Sequence, residues 1–379
     1  MGPTGATGAT GASGICAENI APTIESLPGV PTTTMIGCLF DMTITVGGGA
    51  HSGSGETLSY AVVGIGATIV QSTTDSKKFT INPQVSGSNT MLAIVSDGCQ
   101  IATRQFSFSV FADTIPVGYV GVCPGTFEMG SPTGELGRDS DETQHSVTIS
   151  RAFLMKATEV TQGEWQAQMG NNPSQFSTCG TTCPVEQVSW WDAVAYCNAM
   201  SAAEGLTSCY DLTGCSTGEA NKPGTGNYTC TGVTFVGLTC TGYRLPTESE
   251  WEYSARAGTT TAFFNGEITQ TGCTPLDANL NAIGWYCGNA DAPHVVKGKQ
   301  ANAWGLYDMS GNVWEWVWDR WGTYPGTVTD PLGAAIGSVR VNRGSAWFRF
   351  ASDARAAARD YYGPNSRNGT VGFRLGRSL

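Results

Sequence analysis

The sequence predicts two loop-rich domains in tandem, an all-β sandwich followed by an α+β domain, and three observations lead there. Fifty glycines and only 13% charged residues in a chain of 379 favour many turns over a helical bundle. From about Ala21 to Ala112 apolar and polar residues alternate in short runs. Beyond about Val117, strand-like runs give way to segments with helical spacing. A chain of this length can bury a sizeable core.

Taken in order, residues 1–15 carry glycine at Gly2, Gly5, Gly8, Gly11 and Gly14, the period of a collagen triple helix. The tract reads either as the end of a trimerising collagen-like stalk or as a Gly/Thr linker. Met1 stands directly before this repeat, so we expect a piece of a longer exported chain. Residues 16–115 hold MIGCLFDMTITV, LSYAVVG, KKFTINPQV, NTMLAIVSDG and RQFSFSVFA, separated by turn clusters. They predict an immunoglobulin-like β-sandwich in the loose sense, since no tryptophan lies between Cys38 and Cys99. Those two cysteines stand in an early and a late strand and could bridge the sheets. With no cluster of titratable groups, the expected role is a spacer.

Residues 116–379 form the second domain. GTFEMGS and HSVTISRAFLMKATEVTQGEWQAQM read as strand and strand into helix. In PVEQVSWWDAVAYCNAMSAAEG, Ala193, Tyr196, Cys197 and Met200 recur at helical spacing behind Ser189, an N-cap. Cys209 to Cys240 is a Gly/Thr-rich insertion stapled by its own cysteines. Thr247 and Glu250 have capping-box spacing, so a helix starts there. To about Gln300 no period is visible. Trp314, Trp316 and Trp318 suit a packed strand and are expected in the core.

The formal net charge of −11 disfavours nucleic acid, whose binders need a basic face. No apolar run is long enough for a membrane span. Thirteen cysteines, several in local pairs (Cys179/Cys183, Cys209/Cys215, Cys230/Cys240, Cys273/Cys287), look like short disulfide loops of an exported protein. Connectivity is not fixed by spacing. A zinc reading is weaker, because histidine is scarce and no CxxC pair occurs.

The last forty residues, 340–379, combine a frame with a filling. The frame is small and arginine-punctuated: Arg343, Gly344, Ala351, Ala354, Arg355, Ala356, Ala357, Arg359, Pro364 and Arg367, closing on Gly372, Phe373 and Arg374. Between its members lie aromatic and polar residues without period, a mixture that binding loops use. Phe348, Arg349, Phe350, Asp353, Asp360, Tyr361 and Tyr362 are expected as exposed contacts, with Asn365, Ser366 and Asn368 at the rim. The alternative is that Phe348 and Phe350 fill the core.

GTFEMGS, ATEVTQGEW, PVEQVSWWDAVAYC, YRLPTESEWEYSARAG, NAWGLYDMSGNVWEW, RGSAW and GFRL, in that order, closely resemble the sulfatase-modifying, formylglycine-generating-enzyme-like domain. The resemblance covers roughly residues 117 to 379 and implies an α+β C-type-lectin-like fold with a small antiparallel sheet, two helices and long loops. Enzymes of that family hold copper through two cysteines after the RGS-like motif. Counted from Trp347, Arg349 and Ala354 stand where those thiols would be, and neither supplies a soft ligand. An iron-dependent branch relies on a histidine-bearing additional domain, which three scattered histidines do not supply.

The chain looks most like another branch, the variable proteins of diversity-generating retroelements. In these, mutation of adenines rewrites chosen codons near the C-terminus. Mutated AAY asparagine codons reach every filler residue type between Phe348 and Thr370. One departure is GSAW where GGSW is usual. The family's NVWEW-like loop also holds calcium, which by resemblance would lie on Asp308, the carbonyls of Gly311 and Val313, and Glu315. The expectation is therefore a non-enzymatic, exported or cell-surface protein. It would bind a protein or glycan ligand on another cell or phage surface through a diversified C-terminal face. A copper oxidase with displaced ligands, Cys287 among them, and an undiversified carbohydrate-binding module are the alternatives.

Overall fold

The computed structural model describes residues 22–47, 58–97, 100–111 and 115–379. These fall into two units. One comprises the described residues of Met1–Val30 and Leu39–Ser109, the other Pro31–Cys38 with Val110–Leu379. The collagen-like tract, Cys16 and Cys99 lie outside the described residues.

The first unit is built from antiparallel strands. Lys78–Pro83 sits between Phe40–Thr43 and Ala67–Gln71, while Ser59–Gly64 pairs with Gly87–Ser96. Alternation decides the burial. Met42, Phe79, Ile81, Met91, Ala93 and Val95 face inward, each two residues from the next inward neighbour on its strand. Phe40 and Phe108 meet edge to face at 5.0 Å between centroids. The Cys38–Cys99 bridge does not form, because Cys38 is bonded to Cys123. Pro31–Cys38 belongs to the second unit, which carries Cys38 to a partner that strand alternation could not indicate.

In the second unit, Trp314–Arg320 is a central strand, antiparallel to Arg340–Arg343 and parallel to Val371–Phe373. Arg359–Tyr362 forms the outer edge beside Arg340–Arg343. The sheet is thus mixed rather than antiparallel. Its parallel pair is joined by residues 321–370, which include the two antiparallel strands on the other side of Trp314–Arg320, the long connection that parallel pairing requires. Trp314, Trp316 and Trp318 are all buried, as expected for a strand covered on both faces. A second sheet runs Tyr119–Val122, Phe153–Lys156, Gly376–Ser378, Tyr243–Arg244.

Three helices are each opened by a capping box. These are α1 (Gln162–Met169) at Thr161, α2 (Trp190–Ala203) at Ser189 and α3 (Glu248–Arg256) at Thr247. Each hydroxyl accepts an amide three residues on, and the acid there answers back, so two orphan donors are satisfied. A short α4 (Ala278–Ile283), capped by Asp277, stands in the stretch without period. Trp165, Trp190, Tyr196, Trp314, Trp316 and Phe373 share one core cluster, and Trp165 stacks on Tyr196 at 5.3 Å.

Cys179–Cys183 and Cys273–Cys287 are bonded as their proximity suggested. The Cys209/Cys215 and Cys230/Cys240 pairs are not formed. The bonds are Cys209–Cys240 and, nested inside, Cys215–Cys230. The insertion doubles back, with Tyr210–Asp211 antiparallel to Thr234–Phe235, so its ends meet each other before they can meet their sequence neighbours. Cys197 is a buried free thiol, and burial pushes its pKa up.

Candidate functional site

Four arginines of the C-terminal frame are buried and Arg367 is half-buried, and carboxylates or carbonyls meet each of them. Arg343 donates to Glu252 and to the carbonyls of Ala356 (2.9 Å), Ala357 (2.8 Å) and Ala358. Arg355 grips both oxygens of Glu142 at 2.7 Å and reaches Glu135 at 2.7 Å. Arg359 holds Glu248 at 2.8 and 2.7 Å. Arg374 holds Glu315 through Nε at 2.6 Å and through Nη2. Bidentate geometry is what makes such buried charges tolerable. Each guanidinium also fixes a stretch of loop backbone that has no sheet to order it.

The same loop turns its filling outward. Ala351 and Ala354 are fully buried in a cluster with Phe263, Leu280 and Tyr286. Phe348, Phe350 and Tyr361, in contrast, are 41%, 57% and 46% exposed. The core alternative for the two phenylalanines therefore does not hold. Arg349, Asp353, Asp360 and Tyr362 are only half-buried rather than fully exposed. The cause is an ionic knot, in which Arg349 lies 3.0 Å from Asp353 and 3.1 Å from Asp360. Its guanidinium sits 5.7 Å from the ring centroids of both Trp314 and Phe348. Burial raises the Asp360 pKa, opposed by the Tyr361 amide and Arg349. At the rim, Asn365 is exposed and accepts from Trp191 Nε1 at 2.5 Å. Asn368 is also exposed and accepts from Thr370 Oγ1 at 3.0 Å, and Ser366 is half-buried.

Residues 112–379 match the family model of the sulfatase-modifying factor enzyme 1-like domain. The chain belongs to this family. It is similar to the chaperone protein LppX of Paenibacillus barcinonensis, 33% identical over 257 residues, covering 63% of this chain and 84% of that one. It is also similar to the formylglycine-generating enzyme of Thermomonospora curvata, 29% identical over 228 residues, 55% of this chain and 60% of that enzyme. Among solved structures it resembles Treponema denticola variable protein 1, with a TM-score of 0.56 and 30% identity over 73% of this chain and 96% of that one.

Of the two positions that counting from Trp347 sets against the copper thiols, Arg349 is half-buried and Ala354 buried. Cys287, whose amide donates to the Arg349 carbonyl at 3.1 Å, is bonded to Cys273. It is therefore not a free ligand. The GSAW departure also has a structural meaning. Ser345 adopts φ of 72°, a left-handed conformation that favours glycine, and its buried hydroxyl has no partner. Ser345→Gly is expected to stabilise the protein by roughly 1 kcal/mol, read as a higher denaturation midpoint.

The expected calcium residues lie in a loop turned by left-handed Asp308, Gly311 and Asn312. A Cβ at Gly311 would strike the Trp285 carbonyl at 2.1 Å. Asp308 Oδ1 and Glu159 Oε2 are both buried with no donor reaching them, and the two acids lie close enough to share a proton or a cation. Burial raises the Asp308 pKa to about 6, and burial with Asp308 and Glu315 nearby raises that of Glu159. Unpartnered buried oxygens among excess acids fit a cation. Glu315 fits less well, because Arg374 and the Trp251 indole (2.7 Å) occupy its oxygens. No three His, Cys, Asp or Glu groups form a ligand set among the described residues. Glu159 was missed by sequence reasoning. It stands 153 positions before its partner Asn312, and only its place in the ATEVTQGEW motif could have flagged it.

Proposed function

We propose that this protein is a non-enzymatic ligand-binding protein whose C-terminal face, residues 340–379, is a diversified recognition surface. The observation that carries this reading is the partition of one loop into buried frame and outward filling. The arginines and alanines hold the backbone, so Phe348, Phe350 and Tyr361 can change without cost to the core. The likeness to a variable protein at 30% identity supports it, as do Arg349 and Ala354 at the matched thiol positions. The ligand is a protein or glycan on another cell or phage surface. A relative named as a chaperone, a role that is itself protein binding, favours protein. The first unit serves as an immunoglobulin-like spacer and the Gly-X-Y tract as a stalk at the cell surface, where it would trimerise. The disulfides suit that oxidising location.

Sequencing the source locus tests the diversification. A template repeat beside a reverse transcriptase gene, differing from codons 340–379 at adenines, is expected, and its absence leaves an undiversified binding module. The partition itself has a simpler test. Phe350→Ala is expected to move stability by no more than about 0.5 kcal/mol, and a larger loss in a denaturation curve would return Phe350 to the core.

The reading includes a structural calcium ion on Asp308 and the carbonyls of Gly311 and Val313. Glu159, rather than Glu315, would supply the second carboxylate. Calcium at about a hundredfold over its Kd would add roughly 2.7 kcal/mol. Chelation should lower the wild-type Tm and leave Asp308→Asn unmoved; equal responses in both would remove calcium from this loop.

A further inference from the structure

A cavity of about 250 Å³ lies between the start of α3 and the loop after the Trp314–Arg320 strand. Its walls are largely apolar, with Met129, Pro325, Pro331, Ala334 and Ala335 among them. Glu248 and Arg359 also line it, but they neutralise each other through two hydrogen bonds of 2.8 and 2.7 Å. The remaining Arg359 nitrogen donates to the Gly322 carbonyl at 3.0 Å.

Asp319 is different. It is 2% exposed and lines the cavity. Its Oδ2 accepts the Glu248 amide at 2.8 Å, one of the orphan donors of α3. Among the described residues, no hydrogen bond or ion pair reaches Oδ1. Arg340, the other nearby buried guanidinium, lies between the rings of Trp190 and Trp318 at 3.7 and 4.7 Å and donates to the Trp318 carbonyl. Burial, with Glu248 and Glu250 close by, raises the Asp319 pKa well above the carboxylate range against the pull of Arg359. Among the described residues no guanidinium forms a hydrogen-bonded pair with it, and Arg359 and Arg340 attract it only at longer range.

His145 lines the same space. His145 Nδ1 lies 2.9 Å from the Thr143 carbonyl, and a carbonyl only accepts. Nδ1 therefore carries a proton, which leaves Nε2 as the acceptor of the neutral ring. The His145 ring lies 4.5 Å from that of Tyr324, and both residues line the cavity. Arg320 also lines the cavity and donates to the Ala335 carbonyl at 3.3 Å, so Asp319 is the buried acid of the lining without a hydrogen-bonded countercharge; the walls are largely apolar and the volume is below that of ordinary small-molecule pockets. A metal ion would find no set of three ligands among the described residues.

We propose that this cavity binds a primary ammonium group on a short aliphatic stem, with the ammonium paired to Asp319 and the stem against the proline and alanine walls. The shared chemistry covers a free alkylamine and a lysine side chain. The site shares the buried Arg359 with the C-terminal segment but none of its exposed contacts, and its test does not use them.

The full chain would be titrated with n-butylammonium chloride while the methyl NMR signals of Ala334 and Ala335 are followed. n-Butanol serves as the uncharged control and Nα-acetyl-lysine N-methylamide as the second probe. Saturable shifts with n-butylammonium are expected, weakened at least about tenfold for n-butanol and for Asp319→Asn. Asparagine still offers an oxygen to the Glu248 amide. Binding of both ammonium probes identifies a lysine side chain, and binding of n-butylammonium alone identifies a free amine. Ala334→Leu fills the cavity without touching the acid and should abolish the shifts of Ala335. The proposal is overturned if n-butylammonium gives no saturable shift, or if either variant binds it as tightly as the wild type.

Discussion

Replacing Arg343 by methionine destabilises the second unit by about 3–5 kcal/mol, the usual cost of breaking a buried ion pair from one side. The guanidinium is fully buried and holds Glu252 together with three successive carbonyls, those of Ala356, Ala357 and Ala358. Methionine fills the volume but donates nothing. Three carbonyls then lose a donor, and Glu252 is left with Arg256 and the Gly130 amide. Urea denaturation measures the loss, and a change below about 1 kcal/mol would mean that the frame arginines do not hold the loop. The same substitution at Arg349, whose side chain is 34% exposed, should cost far less, because solvent already screens that pair.

The second large effect is expected at Cys209–Cys240. Removing both thiols as Cys209→Ala with Cys240→Ala should cost about 3–4 kcal/mol, from the chain entropy released by a closed loop of this length. The two cysteines are 31 positions apart and both buried, and they belong to the core cluster that contains Trp318 and Tyr243. Removing the inner Cys215–Cys230 pair should cost less, because the outer bond already restrains the loop and both inner residues are half-buried. Equal losses for the two pairs, in parallel urea curves, would contradict the nesting argument.

Much of the candidate site was legible as pattern. The frame and its filling could be separated in the sequence because small residues and arginine recur where aromatics do not. Burial follows that division at Ala351, Ala354, Arg355 and Phe350. The helix starts at Ser189 and Thr247 were visible because a capping box is a contact between residues three apart. The half-burial of Arg349 was not visible, because Asp360 reaches it from another strand. Nor was the orphaned Glu159 oxygen, which depends on how segments remote in sequence meet.

By itself, then, the sequence determined the family, the helix caps at Ser189 and Thr247 and the tryptophan-rich core strand, and it suggested the short cysteine loops at Cys179–Cys183 and Cys273–Cys287 without fixing them. Each of these is written in neighbouring residues or in an ordered set of motifs. Only the tertiary structure decided the nested Cys209–Cys240 and Cys215–Cys230 bonds, the Cys38–Cys123 bridge, the parallel pairing of Val371–Phe373 and the carboxylate left facing a cavity at Asp319. Each of those depends on which distant groups have already found partners, and local spacing carries no record of a partner brought in by the fold.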